Sequence, residues 1–131
     1  LSFDEVNLLL KTTKDLSYKD ISNLDLSKKN MNGVNFRGAD LSGVNLSEAN
    51  LNSGDFYETK LVGANLNGAI LKNADMRKAD LGGVTGINAD FSGADLRNAN
   101  LAGSNLTKAT LIKAKLDGVK LGGVILKDAV Y

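Results

Sequence analysis

The stretch Ala39-Asp40-Leu41-Ser42-Gly43-Val44-Asn45-Leu46-Ser47-Glu48-Ala49-Asn50-Leu51 carries a large apolar residue at every fifth position. Stepping outward by five gives Ile21, Leu26, Met31 and Phe36 on one side. On the other side it gives Phe56, Leu61 and so on to Leu126 and Tyr131. Of 23 such centres, 22 are large and apolar, and the exception is Gly86. The residue two before the centre is small or β-branched at all 20 positions from Val34 to Ala129. The residue directly before it is Asp or Asn in 15 of 23 units. A period of five fits neither an α-helix nor a strand. Within a unit, two inward positions flank one outward position, which is a three-residue extended fragment. The two remaining positions are rich in Gly, Ser and Asn, which favour turns. A chain that turns the same way every five residues winds into a coil, and successive coils can pair their backbones about 4.8 Å apart.

Units such as Ala39-Asp40-Leu41-Ser42-Gly43, Ala49-Asn50-Leu51-Asn52-Ser53 and Ala94-Asp95-Leu96-Arg97-Asn98 resemble the A-[D/N]-L-x-x unit of pentapeptide repeat proteins. The resemblance covers residues 20–131. It implies an all-β solenoid, a right-handed quadrilateral β-helix with four units per coil and five to six coils. At strand spacing such a rod is about 25–28 Å long. Phe36 is then expected to sit under Phe56, followed by Met76, Leu96 and Leu116.

Residues 1–19 read as a capping helix and lead-in. Ser2 and Glu5 have capping-box spacing, and Phe3, Val6, Leu9 and Leu10 share one face of a helix predicted from Asp4 to about Lys14. Such a helix would cover the apolar end of a solenoid. A membrane-surface role is opposed by its charges, with only Lys11 and Lys14 set against Asp4, Glu5 and Asp15.

Composition narrows the function. The 131 residues hold 16 Lys plus Arg and 15 Asp plus Glu, a net of +1, with no His and no Cys. A Ser-His-Asp triad, a Cys nucleophile and the usual zinc sites are excluded. No cofactor or metal is expected, nor is an enzyme. Near-neutral charge argues against a nucleic-acid partner, and no apolar run is long enough to span a membrane. A soluble protein is expected. The cytoplasm is preferred, and an exported compartment stays open because the chain starts at Leu1 rather than Met.

Residues one coil apart should stack into columns. One column holds all three arginines, Arg37, Arg77 and Arg97, together with Tyr57, beside Asp55, Asp75 and Asp95. Two readings stand side by side: a ladder of exposed ion pairs, and a recognition stripe for an anionic or protein partner. A second side carries Gly43, Gly63, Gly83, Gly103 and Gly123, read as corners needing positive φ or as a smooth wall for a close-lying surface. At Gly86 the preferred reading is a locally underpacked coil, because the phase resumes at Ala89-Asp90-Phe91. The rival is a bulge that turns Ile87 inward.

From Lys108 onward there are five Lys and two Asp, and Ile112, Ile125 and Val130 fall on outward positions ahead of the terminal Tyr131. These four form a candidate end-to-end interface, since end-to-end dimers through the C-terminal coils occur in the resembled family. The function expected is a rigid, non-catalytic protein–protein interaction module or scaffold with an unidentified protein partner. The alternative is a DNA-mimicking protein that binds a type II topoisomerase such as gyrase. That activity needs a dominant negative surface.

Overall fold

A computed structural model describes all of residues 1–131. The chain opens with one helix, α1 (Phe3–Lys11), and then coils to its end. Twenty parallel pairings run unbroken from Asp15↔Asn35 to Thr110↔Val130, each between residues twenty apart. A coil is therefore four units, as expected, and each centre lies above the centre twenty residues earlier.

Beyond the first coil, and below the last, a unit with Asp or Asn before its centre gives every backbone N–H an assigned place, as buried polar groups require. The centre residue donates to the coil above, as Phe36 does to the Asp55 carbonyl at 2.8 Å. The residue two after the centre does the same, as Gly38 does to Tyr57. The residue before the centre donates to the coil below, as Asn35 does to Lys14. The small residue closes the turn by donating to the centre carbonyl, as Ala39 does to Phe36 at 2.9 Å. The fifth N–H, just after the centre, is taken by the Asp or Asn side chain two residues earlier. Asp40 Oδ1 accepts from Ser42 N–H at 2.9 Å in this way, and Asn45 Oδ1 from Ser47 N–H at 3.0 Å. This is why Asp and Asn recur before the centres: each is an Asx turn serving one donor.

All units bend with positive φ at the residue two after the centre, including Glu48, Lys78 and Asn98. Glycine at the Gly43–Gly123 corner is thus not demanded by φ alone, because other corners accept the same conformation with bulky residues. At Gly63 and Gly83 an added Cβ would meet open space, so this side is a bare wall. At other corners the glycine makes room for a neighbour: a Cβ at Gly38 would collide with the Tyr18 ring, and one at Gly118 with the Asn98 amide.

The interior is one continuous apolar column from Val6 to Leu111. Phe36 and Phe56 stack with ring centres 5.0 Å apart and planes 20° apart, as the spacing predicts. The Phe56 ring lies so close to its own turn that a Cβ at Gly54 would sit 2.6 Å from Cε2. The two buried hydroxyls are bonded: Thr59 Oγ1 donates to the Phe36 carbonyl and Ser104 Oγ to the Leu101 carbonyl, both at 2.7 Å. No buried side-chain polar atom lacks a partner.

At Gly86 the coil keeps its register. Gly86 N–H donates to Asn105, and Ala89 N–H donates to the Gly86 carbonyl. Leu106 leans into the vacancy, with Cδ2 at 2.9 Å from where a Cβ would stand. Ile87 stays half-exposed on the outside, so the bulge reading is set aside.

Two boundaries differ from the sequence expectation. The capping box forms as expected, with Ser2 Oγ accepting from Glu5 N–H and Glu5 Oε1 from Ser2 N–H. The helix stops at Lys11 rather than Lys14, because Thr12 caps it and donates its hydroxyl to the Leu8 carbonyl at 2.9 Å. The coil also begins earlier than residue 20: Asp15 pairs with Asn35, and Leu16 is fully buried as a centre. Val6 is buried against the first coil, with Leu9 and Leu10 beside it, so α1 closes that end. No helix is long and apolar enough to cross a membrane.

Candidate functional site

The column of Arg37, Tyr57, Arg77 and Arg97 is assembled by the twenty-residue register. All four occupy the position just after a centre. The Tyr57 ring lies between two cations, with the Arg37 guanidinium 4.2 Å from its centre and Arg77 at 5.0 Å. Lys78 Nζ lies at 5.8 Å from the same ring. Cations over the face of a tyrosine are attracted by its quadrupole.

Each arginine also finds a carboxylate. Arg77 grips Asp75 through two parallel bonds, Nε to Oδ1 at 2.9 Å and Nη2 to Oδ2 at 2.8 Å. Arg97 grips Asp95 in the same way at 2.9 and 2.7 Å. Arg37 has Asn35, not Asp, two residues before it, and reaches instead to Asp55 in the next coil at 3.7 Å. The bidentate bonds hold the Asp75 and Asp95 carboxyls below the usual carboxylate range and raise the Arg77 and Arg97 guanidinium pKa. The ladder of ion pairs is therefore present. The pairs fix the guanidinium planes, and the planes frame a shallow recess of about 250 Å³ between Tyr57, Arg77, Lys78, Arg97 and Asn98. Lys78 and Asn98 were not singled out in the sequence. Their corner positions, one residue beyond Arg77 and Arg97, were the available signal.

At the other end of the rod the expected interface residues divide. Ile112, Ile125 and Val130 are exposed on the outer walls, at 45%, 49% and 51%. Tyr131 alone joins the apolar depression of about 180 Å³ that opens on the last coil. Its other walls are centre residues: Leu101, Leu106, Leu111, Leu116, Leu121 and Leu126. Leu121 is 42% exposed there, whereas its counterpart one coil below, Leu101, is buried.

A third feature was not legible in the repeat. Where the residue before the centre is Ile70 or Thr85, the Asx acceptor is missing. The orphaned N–H of Lys72 is then served by Asn52 Oδ1 at 3.0 Å, and that of Ile87 by Asn67 Oδ1 at 2.9 Å, each from the coil below. The Asn67 side borders the largest surface recess, about 490 Å³, between Ser47, Glu48, Asn65, Gly68, Ile87 and Asn88.

Comparison with known proteins places these features in a family. Eight copies of the pentapeptide repeat match residues 20–52, 55–85 and 88–128. No curated protein matches the chain. A pentapeptide repeat protein from the Arabidopsis thaliana thylakoid lumen is 31% identical, with a TM-score of 0.71 over 72% of this chain. The chain covers 66% of that protein's length. Rfr23, from the cyanobacterium Cyanothece 51142, superposes over 99% of both chains at 24% identity and a TM-score of 0.74. QnrB1, a plasmid-mediated fluoroquinolone resistance protein, matches 88% of this chain and 71% of its own at 22% identity and a TM-score of 0.57. These last two likenesses are of fold. With repeats matched over most of its length and four-sided coils stacked in unbroken register, the chain belongs to the pentapeptide repeat family and has that family's right-handed quadrilateral β-helix fold.

Proposed function

We propose that this protein is a rigid, non-catalytic interaction module whose contact surface for a protein partner is the column Arg37, Tyr57, Arg77 and Arg97. The observation that carries this reading is the locked geometry of that column. A half-buried tyrosine stands between two guanidiniums, and two of the three arginines are fixed by bidentate carboxylates. Arginine and tyrosine are enriched at interface hot spots, and prior ordering lowers the entropy lost on binding. Affinity capture from cells of the source organism tests it. The wild-type rod is expected to retain a partner that Tyr57→Ala/Arg77→Ala loses, with both rods melting alike. Identical capture by the two proteins overturns the assignment.

A second reading rests on the depression at the last coil. A second copy of the chain would cover Leu116, Leu121, Leu126 and Tyr131, whose exposure departs from that of every earlier coil. Light scattering across a concentration series is expected to show a dimer that Leu121→Asp dissociates. A monomer at all concentrations removes this reading.

The gyrase-binding alternative finds less support. Asp55, Asp75 and Asp95 are each within an ion pair, and the net charge is +1. A DNA mimic has to present unpaired negative charge in place of phosphates. A supercoiling assay with DNA gyrase is expected to show neither inhibition nor protection from quinolones.

A further inference from the structure

The recess beside Tyr57 is lined by groups that can give hydrogen bonds and have nothing to give them to. Arg77 and Arg97 spend Nε and Nη2 on Asp75 and Asp95, which leaves both Nη1 groups unpaired. Lys78 stands in no ion pair, and its ammonium has only the distant Tyr57 ring for company. Asn98 turns its amide oxygen over Gly118, away from a role as acceptor in the recess. No acid lines this space. Three cations converge on it because Arg77 and Arg97 stack one coil apart, about 5 Å, with Lys78 on the adjoining corner.

We infer that this recess receives a single carboxylate, the side chain of an Asp or Glu in an acidic segment of the partner protein. The inference rests on the reading of the column as the contact surface and names the chemistry of what is contacted. Charge-assisted bonds from guanidinium to carboxylate are the strong ones. The surroundings limit the ligand to one such group. In the register of columns, Glu58 lies one coil below Lys78, and Asp117 lies one coil above Arg97. Each of the two columns that supply the cations thus meets an acid on one side of the recess. A nucleic-acid backbone, carrying a charge about every 3.4 Å along a strand, would run into those acids. One inserted side chain would not.

The test uses the intact protein and a fluorescein-labelled octaglutamate peptide, followed by anisotropy at low salt, with octaglutamine as the neutral control. Octaglutamate is expected to bind, and octaglutamine is not. Lys78→Gln/Arg97→Gln is expected to weaken binding by about tenfold or more, as loss of two charged donors implies. Lys108→Gln/Lys127→Gln, on the opposite side of the rod by the twenty-residue register, should change it by less than about twofold under screening. Thermal melting confirms that both variants fold. Unchanged binding by the Lys78/Arg97 variant overturns the inference, as does loss of binding in the Lys108/Lys127 variant. Tighter binding of an oligothymidylate than of octaglutamate overturns it in favour of a nucleic acid. If octaglutamate fails while Tyr57→Ala/Arg77→Ala still loses its captured partner, the acidic insert falls and the contact surface stands. If that capture is also unaffected, both fall.

Discussion

Asn67 Oδ1 accepts the backbone N–H of Ile87 at 2.9 Å, across twenty residues of sequence and one coil of the rod. It takes the place of an Asx residue that Thr85 does not supply. Asn67→Ala should therefore destabilise the rod by about 0.5–1.5 kcal/mol, the net worth of a typical hydrogen bond. Asn67→Asp keeps the acceptor and should recover most of that. Asn32 occupies the same kind of position, but its side chain makes no such bond, and Asn32→Ala should be nearly silent. Urea unfolding of the three variants checks the assignment. Equal losses from Asn67→Ala and Asn32→Ala would show that the cross-coil bond contributes nothing.

Two buried glycines should respond oppositely to the same added methyl. At Gly54 the methyl would meet Phe56 Cε2 at 2.6 Å and the Leu51 carbonyl at 3.2 Å. The ring is pinned by its stack on Phe36, so Gly54→Ala should cost about 1–3 kcal/mol by overpacking. At Gly86 the nearest atom is the flexible tip of Leu106. That tip can swing aside, so Gly86→Ala should gain about 0.4–1 kcal/mol from the stiffer unfolded chain. Melting temperatures shifted in the same direction would contradict this.

Acid should act through the carboxylates. Asp75 and Asp95 have folded-state pKa values below their unfolded ones because arginine bonds their charged forms. Their contribution is complete above the unfolded value of about 3.9 and is lost as pH falls through the folded value. With no His and no Cys, stability should be flat between about pH 5 and 8 and decline below about pH 4. Asp95→Asn retains an acceptor for the Arg97 N–H. It should cost no more than about 1 kcal/mol at neutral pH, given the exposure of the pair, and nothing near pH 2. An equal loss at both pH values would deny the ion pair its role.

The helix cap is separable from the coils. Ser2→Ala removes one half of the capping box and should weaken α1 by about 0.5–2 kcal/mol. Hydrogen exchange should then accelerate at Val6 and along the first coil around Leu16, while protection around Leu66 stays as it was. Uniform acceleration along the rod would mean that α1 is integral to a single cooperative unit.

The centres, their columns and the capping box are legible in the sequence, because each depends on spacing alone. What spacing hid depends on neighbours twenty residues away. The service of Lys72 and Ile87 by Asn52 and Asn67 leaves no local mark, since asparagine is common at many positions of the repeat. Leu16 fits the five-residue phase, but Lys14 stands where a small residue belongs, and this masked the first unit. Lys14 is tolerated because this position is open in the first coil: Lys14 and Lys19 are exposed there, and Leu24 and Lys29 only partly covered. Gly54 looks like any other small residue, yet Val34 and Ala89 precede Phe36 and Phe91 in the same position. The placement of the Phe56 ring makes glycine necessary there. The arginine column was visible in the sequence. Its recess was not, because Lys78 and Asn98 belong to a different position of the repeat.

The backbone accounting makes the rod polar in the way a plug differs from a socket. Toward the C-terminus each unit offers two N–H groups for every carbonyl, and toward the N-terminus the ratio is reversed. Two last coils brought face to face would oppose donors with donors, so they cannot zip their main chains together as successive coils do. Any such pair has to be joined by its leucines, dry and without ladder bonds, and one charged substitution at Leu121 is then enough to part it.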